Sequence, residues 1–391
     1  MGPVRTHIEA LPTARAERLL ATPGATIVDL RSPAEFAQDH VPGASNVPLF
    51  GDAQRALVGT LYRRVSPEAA FGQAREMVLA GVGGLVAGIG AACGWEAPRA
   101  DLAARVEALT REGIAGMSAG LECARLEELP ARPVFLHCWR GGLRSRSVVA
   151  LVRGLGLGRA VLLEDGYRGW RAHVRRELDD WSPPGLFVLR GLTGVGKTLV
   201  LRAIERLRPG STIDLEELAG HRSSLLGMVG LEPRSQKAFE SRLCARLRDL
   251  RAGPLVVEGE SRRVGDVTLP RSLWRGMGAG VSIGLEAPLE RRVEVLEADY
   301  AGDARTREEL RARLPHVEAR MHRPGGAPAL VVLLDRGETG RLARELLADY
   351  YDPLYRHGER RRRALVRFDA TDPELAAARI VEWIGDRRGT S

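Results

Sequence analysis

The stretch LFVLRGLTGVGKTLVLRAIERL, Leu186–Leu207, constrains this chain more than any other. An apolar run suited to a buried strand stops at a glycine-rich loop, and the loop enters residues whose apolar positions recur at helical spacing. A strand that hands its chain to a helix in this way needs a neighbour running in the same direction, so the stretch commits its surroundings to a parallel α/β layer. The pattern recurs on both sides of the linker WSPPG (Trp181–Gly185), whose adjacent prolines cannot continue a helix. Before it, ATIVDL (Ala25–Leu30), ASNVPL (Ala44–Leu49), PVFLHC (Pro133–Cys138) and AVLLEDG (Ala160–Gly166) read as strands; after it, LFVLRG, STIDL, PLVVEGE, VSIGLE and ALVRFDA do. The expected fold class is therefore α/β, with two parallel-sheet domains over 1–180 and 181–391. Residues from about 288 to 350 are dense in Arg and Glu and helical by pattern, which predicts a helical insertion in the second domain.

Composition narrows the setting. The N-terminus lacks an apolar segment following a basic one, and no charge-free run is long enough for a span, so a cytoplasmic chain without a membrane partner is expected. The most apolar segment, Met77–Trp95, is so rich in glycine that it predicts a buried helix with a glycine-packed face. Four cysteines without a CxxC pair supply neither a disulfide framework nor a zinc site. Cys93, Cys123 and Cys244 sit in patterns that read as helical and buried. The formal charge of +8, placed mainly in the second half, suits a polyanionic partner. Only Lys197 and Lys237 are lysines, so a lysine kept against that bias marks a place where a planar guanidinium fails.

GLTGVGKT (Gly191–Thr198) has the Walker A pattern in the required strand–loop–helix context. Gly191, Gly194 and Gly196 let backbone N–H groups wrap phosphates, Lys197 reaches the outer oxygens, and the Thr198 hydroxyl suits a Mg²⁺ ion. PLVVEGESR (Pro254–Arg262) reads as the strand that brings a carboxylate, Glu258 or Glu260, near that metal. Asp214 competes for the same work, while Arg222 in GHRSS is a candidate substrate contact and Ser223 a substrate contact or helix cap.

The loop HCWRGGLRS (His137–Ser145) puts Cys138 at a strand end, ahead of a helix. Its N–H groups and the helix terminus form an anion cradle with Arg140, Gly141, Gly142, Arg144 and Ser145, and the same field lowers the thiol pKa. Arg144 is spaced to close over a tetrahedral anion with two donors. Further on, Arg360, Arg361, Arg362 and Arg363 form a cationic stripe suited to the phosphates of a polyanionic partner. Tyr350, Tyr351 and Tyr355 would either stack on unpaired bases or pack in a C-terminal core.

The cysteine loop satisfies the thiol phosphatase pattern His-Cys-x-x-Gly-x-x-Arg-Ser. Yet IVDLRSPAEFAQDHVPGASNVPL (Ile27–Leu49) resembles the opening of a rhodanese domain, and EDGYRGW (Glu164–Trp170) resembles that family's closing segment. Ordinary rhodaneses place the loop arginine one residue sooner, so the pocket is expected to admit a full phosphate. A rhodanese of this loop length fused to a P-loop NTPase-like domain resembles the tRNA 2-selenouridine synthases. The likeness extends through LVGTLYRR (Leu57–Arg64), DLEELAGHRSS (Asp214–Ser224), EGESR and YYDPLYRH (Tyr350–His357). It implies a selenotransferase and geranyltransferase acting on the wobble-position 2-thiouridine of tRNA, with Cys138 as the selenium-carrying nucleophile. Selenophosphate and geranyl diphosphate would be its substrates, the latter's diphosphate lying on the Walker A loop. A selenophosphate-producing enzyme would be a partner, and no tightly bound cofactor is expected beyond Mg²⁺ at the P-loop. Two other readings fit the residues: a thiol phosphatase fused to a P-loop kinase, and a non-enzymatic rhodanese-like sensor on a nucleic-acid-binding P-loop switch.

Overall fold

The structure is a computed structural model and describes residues 6–11, 22–98, 101–300, 303–321, 327–354 and 364–387. The chain divides into two compact units, Met1–Arg176 and Glu177–Ser391. The first is built on strands β1 (Thr6–Leu11), β2 (Thr26–Asp29), β3 (Ala44–Asn46), β4 (Leu121–Arg125), β5 (Val134–His137) and β6 (Ala160–Leu163). All pair in parallel, in the order β3-β2-β5-β6-β1-β4. Every residue of β5 and β6 is buried, as expected of central strands in a parallel sheet covered on both faces.

Two strands of the first unit were not legible in the sequence. β1 and β4 pair with each other across more than a hundred residues, Ile8 opposite Cys123, and β4 is an edge strand with Glu122–Arg125 exposed. Cys123 is therefore on an exposed strand and not in a buried helix; its conformation comes from its partner strand, which local periodicity cannot see. Cys93 and Cys244 do lie buried in helices.

The apolar segment forms the helix Pro67–Cys93, long and apolar enough to cross a membrane by length and composition alone. Leu85, Ile89 and Cys93 belong to the core of the first unit. Its glycines divide into two groups. A Cβ on Gly88 would come within 2.8 Å of Val47 Cγ1, and one on Gly90 within 2.4 Å of Trp95 O, so these permit close packing. Gly81, Gly83 and Gly84 are exposed and meet nothing, so the expected glycine-packed face covers only the end of the helix.

The second unit carries β7 (Leu186–Arg190), β8 (Thr212–Ile213), β9 (Leu255–Glu258), a short antiparallel hairpin of β10 (Arg263–Val264) and β11 (Val267–Thr268), then β12 (Val281–Glu286) and β13 (Val366–Asp369). Its parallel sheet has the order β13-β12-β7-β9-β8. The helices Lys197–Leu207 and Pro373–Asp386 pack together against it around Val200, Ile204, Ala377 and Ile380. Between β12 and β13 the chain forms helices Leu289–Tyr300, Ala304–Glu318, Leu330–Asp335 and Thr339–Glu345, then a π-helical turn, Leu346–Tyr351. These share a separate core that includes Leu296, Leu314, Leu330 and Leu347.

In each sheet one site is singled out by topology. The chain leaves β2 toward β3 on one side and β5 toward β6 on the other; around β7 it goes to β8 and β9 on one side and later to β12 on the other. Such reversals open a crevice beyond the carboxyl ends of the strands, where ligands bind in open α/β sheets. The two sequence loops follow β5 and β7.

Candidate functional site

Cys138 follows β5, and the helix Leu143–Gly154 starts five residues later. Its residue surface is 2% exposed, but the sulfur's surroundings are polar on one side and open onto a cavity on the other. Burial opposes ionisation of the thiol. The Arg144 guanidinium, the Ser145 hydroxyl 3.2 Å from Sγ, and the N–H groups of Arg140 and Ser145 outweigh it and hold the thiol below its usual range. The N–H groups of Gly141, Gly142, Leu143 and Arg144 donate to no backbone carbonyl among the described residues. The last two are first-turn donors that a helix cannot satisfy internally. The result is a thiolate-stabilising cradle with donors to spare for an anion.

EDGYRGW explains why those donors are free. Tyr167 and Arg168 donate their N–H groups to the carbonyls of Cys138 and Trp139, each at 2.9 Å, so this turn ties down the acceptors and leaves the loop's donors available. The approach is close enough to demand glycine on both sides. A Cβ on Gly166 (φ +54°) would lie 2.3 Å from Cys138 O, and one on Gly141 (φ +63°) 2.8 Å from Asp165 N. Tyr167 in turn donates to Asp39 Oδ2 at 2.6 Å under the Arg31 guanidinium, which sits 3.6 Å from the ring centroid. Arg31 is fixed by a buried pair with Asp29 and by Asp39 O. Asp29 and Arg31, Asp39, and Tyr167 of the closing segment are thus one support behind the thiol loop. His137 lies behind it too, its Nδ1 3.3 Å from Cys138 O, and burial lowers its pKa.

In the second unit the Walker A loop joins β7 to the helix Lys197–Leu207. Gly194 (φ +76°) and Gly196 (φ +88°) take left-handed conformations, and a Cβ on Gly194 would strike Arg292 O at 2.7 Å. A Cβ on Gly191 would strike Leu285 O on β12, also at 2.7 Å. Lys197 Nζ donates to Gly191 O (3.2 Å), holding the ammonium across the loop. Thr198 Oγ1 donates to Glu258 Oε1 (2.8 Å) and lies 3.2 Å from Glu216 Oε2. Burial and then the neighbouring Glu260 push Glu216 up to about 8. Burial and then Glu216 raise Glu258 well above the carboxylate range.

That crowding bears on the expected metal. Among the described residues no group of three or more His, Cys, Asp or Glu side chains is arranged to cage an ion. Mg²⁺ held largely by phosphate oxygens needs only one or two protein oxygens. Thr198 Oγ1 and the buried Glu258 fit that requirement, and a cation would relieve the mutual repulsion of the acids.

The structure brings together Lys197, Thr198, Glu258 and Glu260 and adds Glu216, which the sequence reading passed over. Glu216 lies in a helix of five residues, Leu215–Ala219, too short to show a face, and only packing against β9 turns it inward. Asp214 caps that helix, accepting from Glu217 N at 2.8 Å, and pairs with Arg202. Arg222 is likewise engaged, donating to Val229 O (2.9 Å) and facing Asp299 at 3.5 Å. Ser223 is no helix cap: its φ is +53° and its buried hydroxyl has no partner among the described residues. Tyr350 and Tyr351 are 6% and 1% exposed in the helical core, with Tyr351 OH 3.1 Å from Tyr300 OH, so they do not stack on bases. Arg360, Arg361, Arg362, Arg363 and Tyr355 lie outside the described residues.

A parallel sheet presenting a low-pKa cysteine in an anion loop, followed by a parallel sheet with a Walker A loop, defines a rhodanese-like domain joined to a P-loop domain. Residues 13–77 match the family described as rhodanese-like domain, and residues 184–319 match the tRNA 2-selenouridine synthase AAA domain. The chain is 30% identical over 402 residues to the tRNA 2-selenouridine synthase of Cupriavidus pinatubonensis, spanning 95% of this chain and 97% of that one. It is 29% identical to the protein of the same name from Marinobacter nauticus over 93% of this chain and 95% of that one. With the Cronobacter sakazakii protein, again of that name, identity is 33% over 72% of this chain and 66% of that one. The chain belongs to the tRNA 2-selenouridine synthase family.

Proposed function

We propose that this chain is an enzyme of the cytoplasm that modifies tRNA, replacing the sulfur of wobble-position 2-thiouridine by selenium. The replacement runs in two steps, S-geranylation from geranyl diphosphate and then exchange of the geranylthio group for selenium from selenophosphate. The observation that carries this reading is the Cys138 loop: a stabilised thiolate beneath a set of free N–H donors and two arginines, the electrostatics a tetrahedral phosphate derivative needs.

Electron balance decides how the thiolate acts. Direct transfer of selenium from selenophosphate to Cys138 as a perselenide would leave phosphorus at the phosphite level. Attack of the thiolate on phosphorus needs no redox partner. The S–P bond forms, the Se–P bond breaks, and hydroselenide leaves beside the base. Hydroselenide adds to C2 of the S-geranyl-2-thiouridine, geranylthiolate departs with the displaced electron pair and takes up a proton from water, and the selenol proton shifts to N3 to give the 2-selenouridine. Water then cleaves the S-phosphocysteine to inorganic phosphate and regenerates the thiol. Arg144 and the loop amides follow the charge on the phosphoryl oxygens throughout.

On the P-loop side, Lys197 and the loop amides bind the diphosphate of geranyl diphosphate, and Mg²⁺ at Thr198 and Glu258 would neutralise the leaving group. Incubation of the protein with S-geranyl-2-thiouridine RNA and selenophosphate, followed by nucleoside mass analysis, tests the reading: 2-selenouridine is expected. Acid quench and peptide mapping should find a phosphoryl group on Cys138. A selenium adduct there instead would overturn the attack on phosphorus.

A further inference from the structure

Beside the thiol loop, inside the first unit, lies a cavity of 760 Å³, well within the size range of small-molecule pockets. It is open to solvent on one side and lined mainly by apolar side chains beside the Cys138 sulfur, the combination found in small-molecule sites. Its walls come from five helices, Gly113–Gly120 contributing Ile114 and Met117. From Pro67–Cys93 come Ala70, Phe71, Ala74, Val78 and Leu85, where small alanines alternate with larger side chains and leave the volume open. The helix Leu102–Thr110 contributes Val106 and Leu109, and the helix Leu143–Gly154 contributes Val148 and Leu151. Cys138, Trp139, Arg140 and Arg144 close the remaining side.

The helix Asp52–Arg64 forms a further wall. Arg55, Val58, Gly59, Tyr62 and Arg63 recur at helical spacing and all line the cavity, yet no residue of this helix is buried. Val58 and Gly59 are only half-buried and Tyr62 is 59% exposed, so this wall keeps apolar surface within reach of an occupant. Arg55 is paired with Glu35, whereas Arg140 and Arg144 make no side-chain ion pair among the described residues and stay available at the thiol end.

We infer that this cavity binds a short, methyl-branched hydrocarbon chain carried on the substrate, with the atom that bears the chain held at Cys138. Resting on the reading above, that occupant is the S-geranyl group of the modified base. The cavity then selects geranylated over unmodified thiouridine and receives geranylthiolate as it leaves, while hydroselenide is released a few atoms away. The prenyl chain thus serves as a binding handle that fixes C2 of the base at the exchange site, and its apolar contacts persist in the transition state.

The test uses the full chain, selenophosphate, and two anticodon stem-loop RNAs carrying S-geranyl- or S-methyl-2-thiouridine. Gly59→Phe pushes a ring into the cavity from a helix position where an added Cβ meets nothing within 4 Å, and the change favours helix. Ala74→Leu narrows the cavity from the facing helix, and thermal melts establish that each variant is folded. The wild type should prefer the geranyl RNA by at least about 100-fold in kcat/KM, chiefly through KM, given the selectivity of apolar pockets. The preference should collapse in both variants, and equilibrium dialysis should show weaker binding of free geranylthiol. An unchanged preference and unchanged geranylthiol binding in folded variants would overturn the inference. If the wild type yields no selenouridine from either RNA while still binding geranylthiol in the cavity, the proposed exchange fails and the apolar site stands.

Discussion

The thiol loop and the phosphate loop are the same backbone device used with opposite electrostatics. Each follows a buried parallel strand, turns on left-handed glycines and ends at a helix N-terminus. Around Cys138 the surplus is cationic, and an arginine lowers the thiol's pKa against the effect of burial. Around Lys197 the neighbours are carboxylic acids: Glu216, Glu258 and Glu260 crowd the loop, and burial with their mutual repulsion raises Glu216 to about 8 and Glu258 well above the carboxylate range. The first arrangement makes a nucleophile from the protein's own atoms. The second leaves reaction to the ligand and favours a cation arriving with it. One geometry therefore yields either a reactive group or a grip, depending on the charge brought in by neighbouring elements.

Removing the nucleophile should have the largest effect. Cys138→Ala is expected to lower selenium incorporation by at least about 1,000-fold while leaving geranylation of 2-thiouridine RNA in place. Lys197→Ala should do the converse, reducing geranylation by about 100-fold or more and sparing exchange on RNA that is already geranylated. Mass analysis of both nucleosides reads the two together, and loss of both activities in either variant would break the division of labour between the loops.

Gly141→Ala should destabilise by about 1–3 kcal/mol, because φ +63° is strained for alanine and its Cβ meets backbone at 2.8 Å. Gly142→Ala, with nothing within 4 Å, should cost less in the same denaturant titration. The smallest effect lies in alkylation. Cys138 is held below the usual thiol value, whereas burial raises Cys123. The iodoacetamide rate at Cys138 should therefore level off at lower pH than at Cys123. Peptide-resolved mass spectrometry over a pH series measures it, and inflections in the opposite order would contradict the electrostatics of the loop.

Legibility in the sequence followed the range of the interaction. The strands around both loops, the glycines that turn them and the identities of Cys138, Lys197 and Thr198 all lie in runs of a dozen residues where pattern and conformation coincide. β1 and β4 escaped because each is an ordinary short segment until the other lies beside it. Glu216 escaped because five helical residues show no period. Tyr350 and Tyr351, two of the three clustered tyrosines in the sequence, became core because four other helices close over them.

What local pattern settles here is two strand–loop–helix units with a thiol in one and an ammonium in the other, since backbone handedness and donor direction in such loops depend on a few adjacent residues. Packing alone settles the field around each loop and the hydrocarbon-lined space beside Cys138. Charges and voids are sums over side chains brought from distant parts of the chain, and no short window of residues contains those sums.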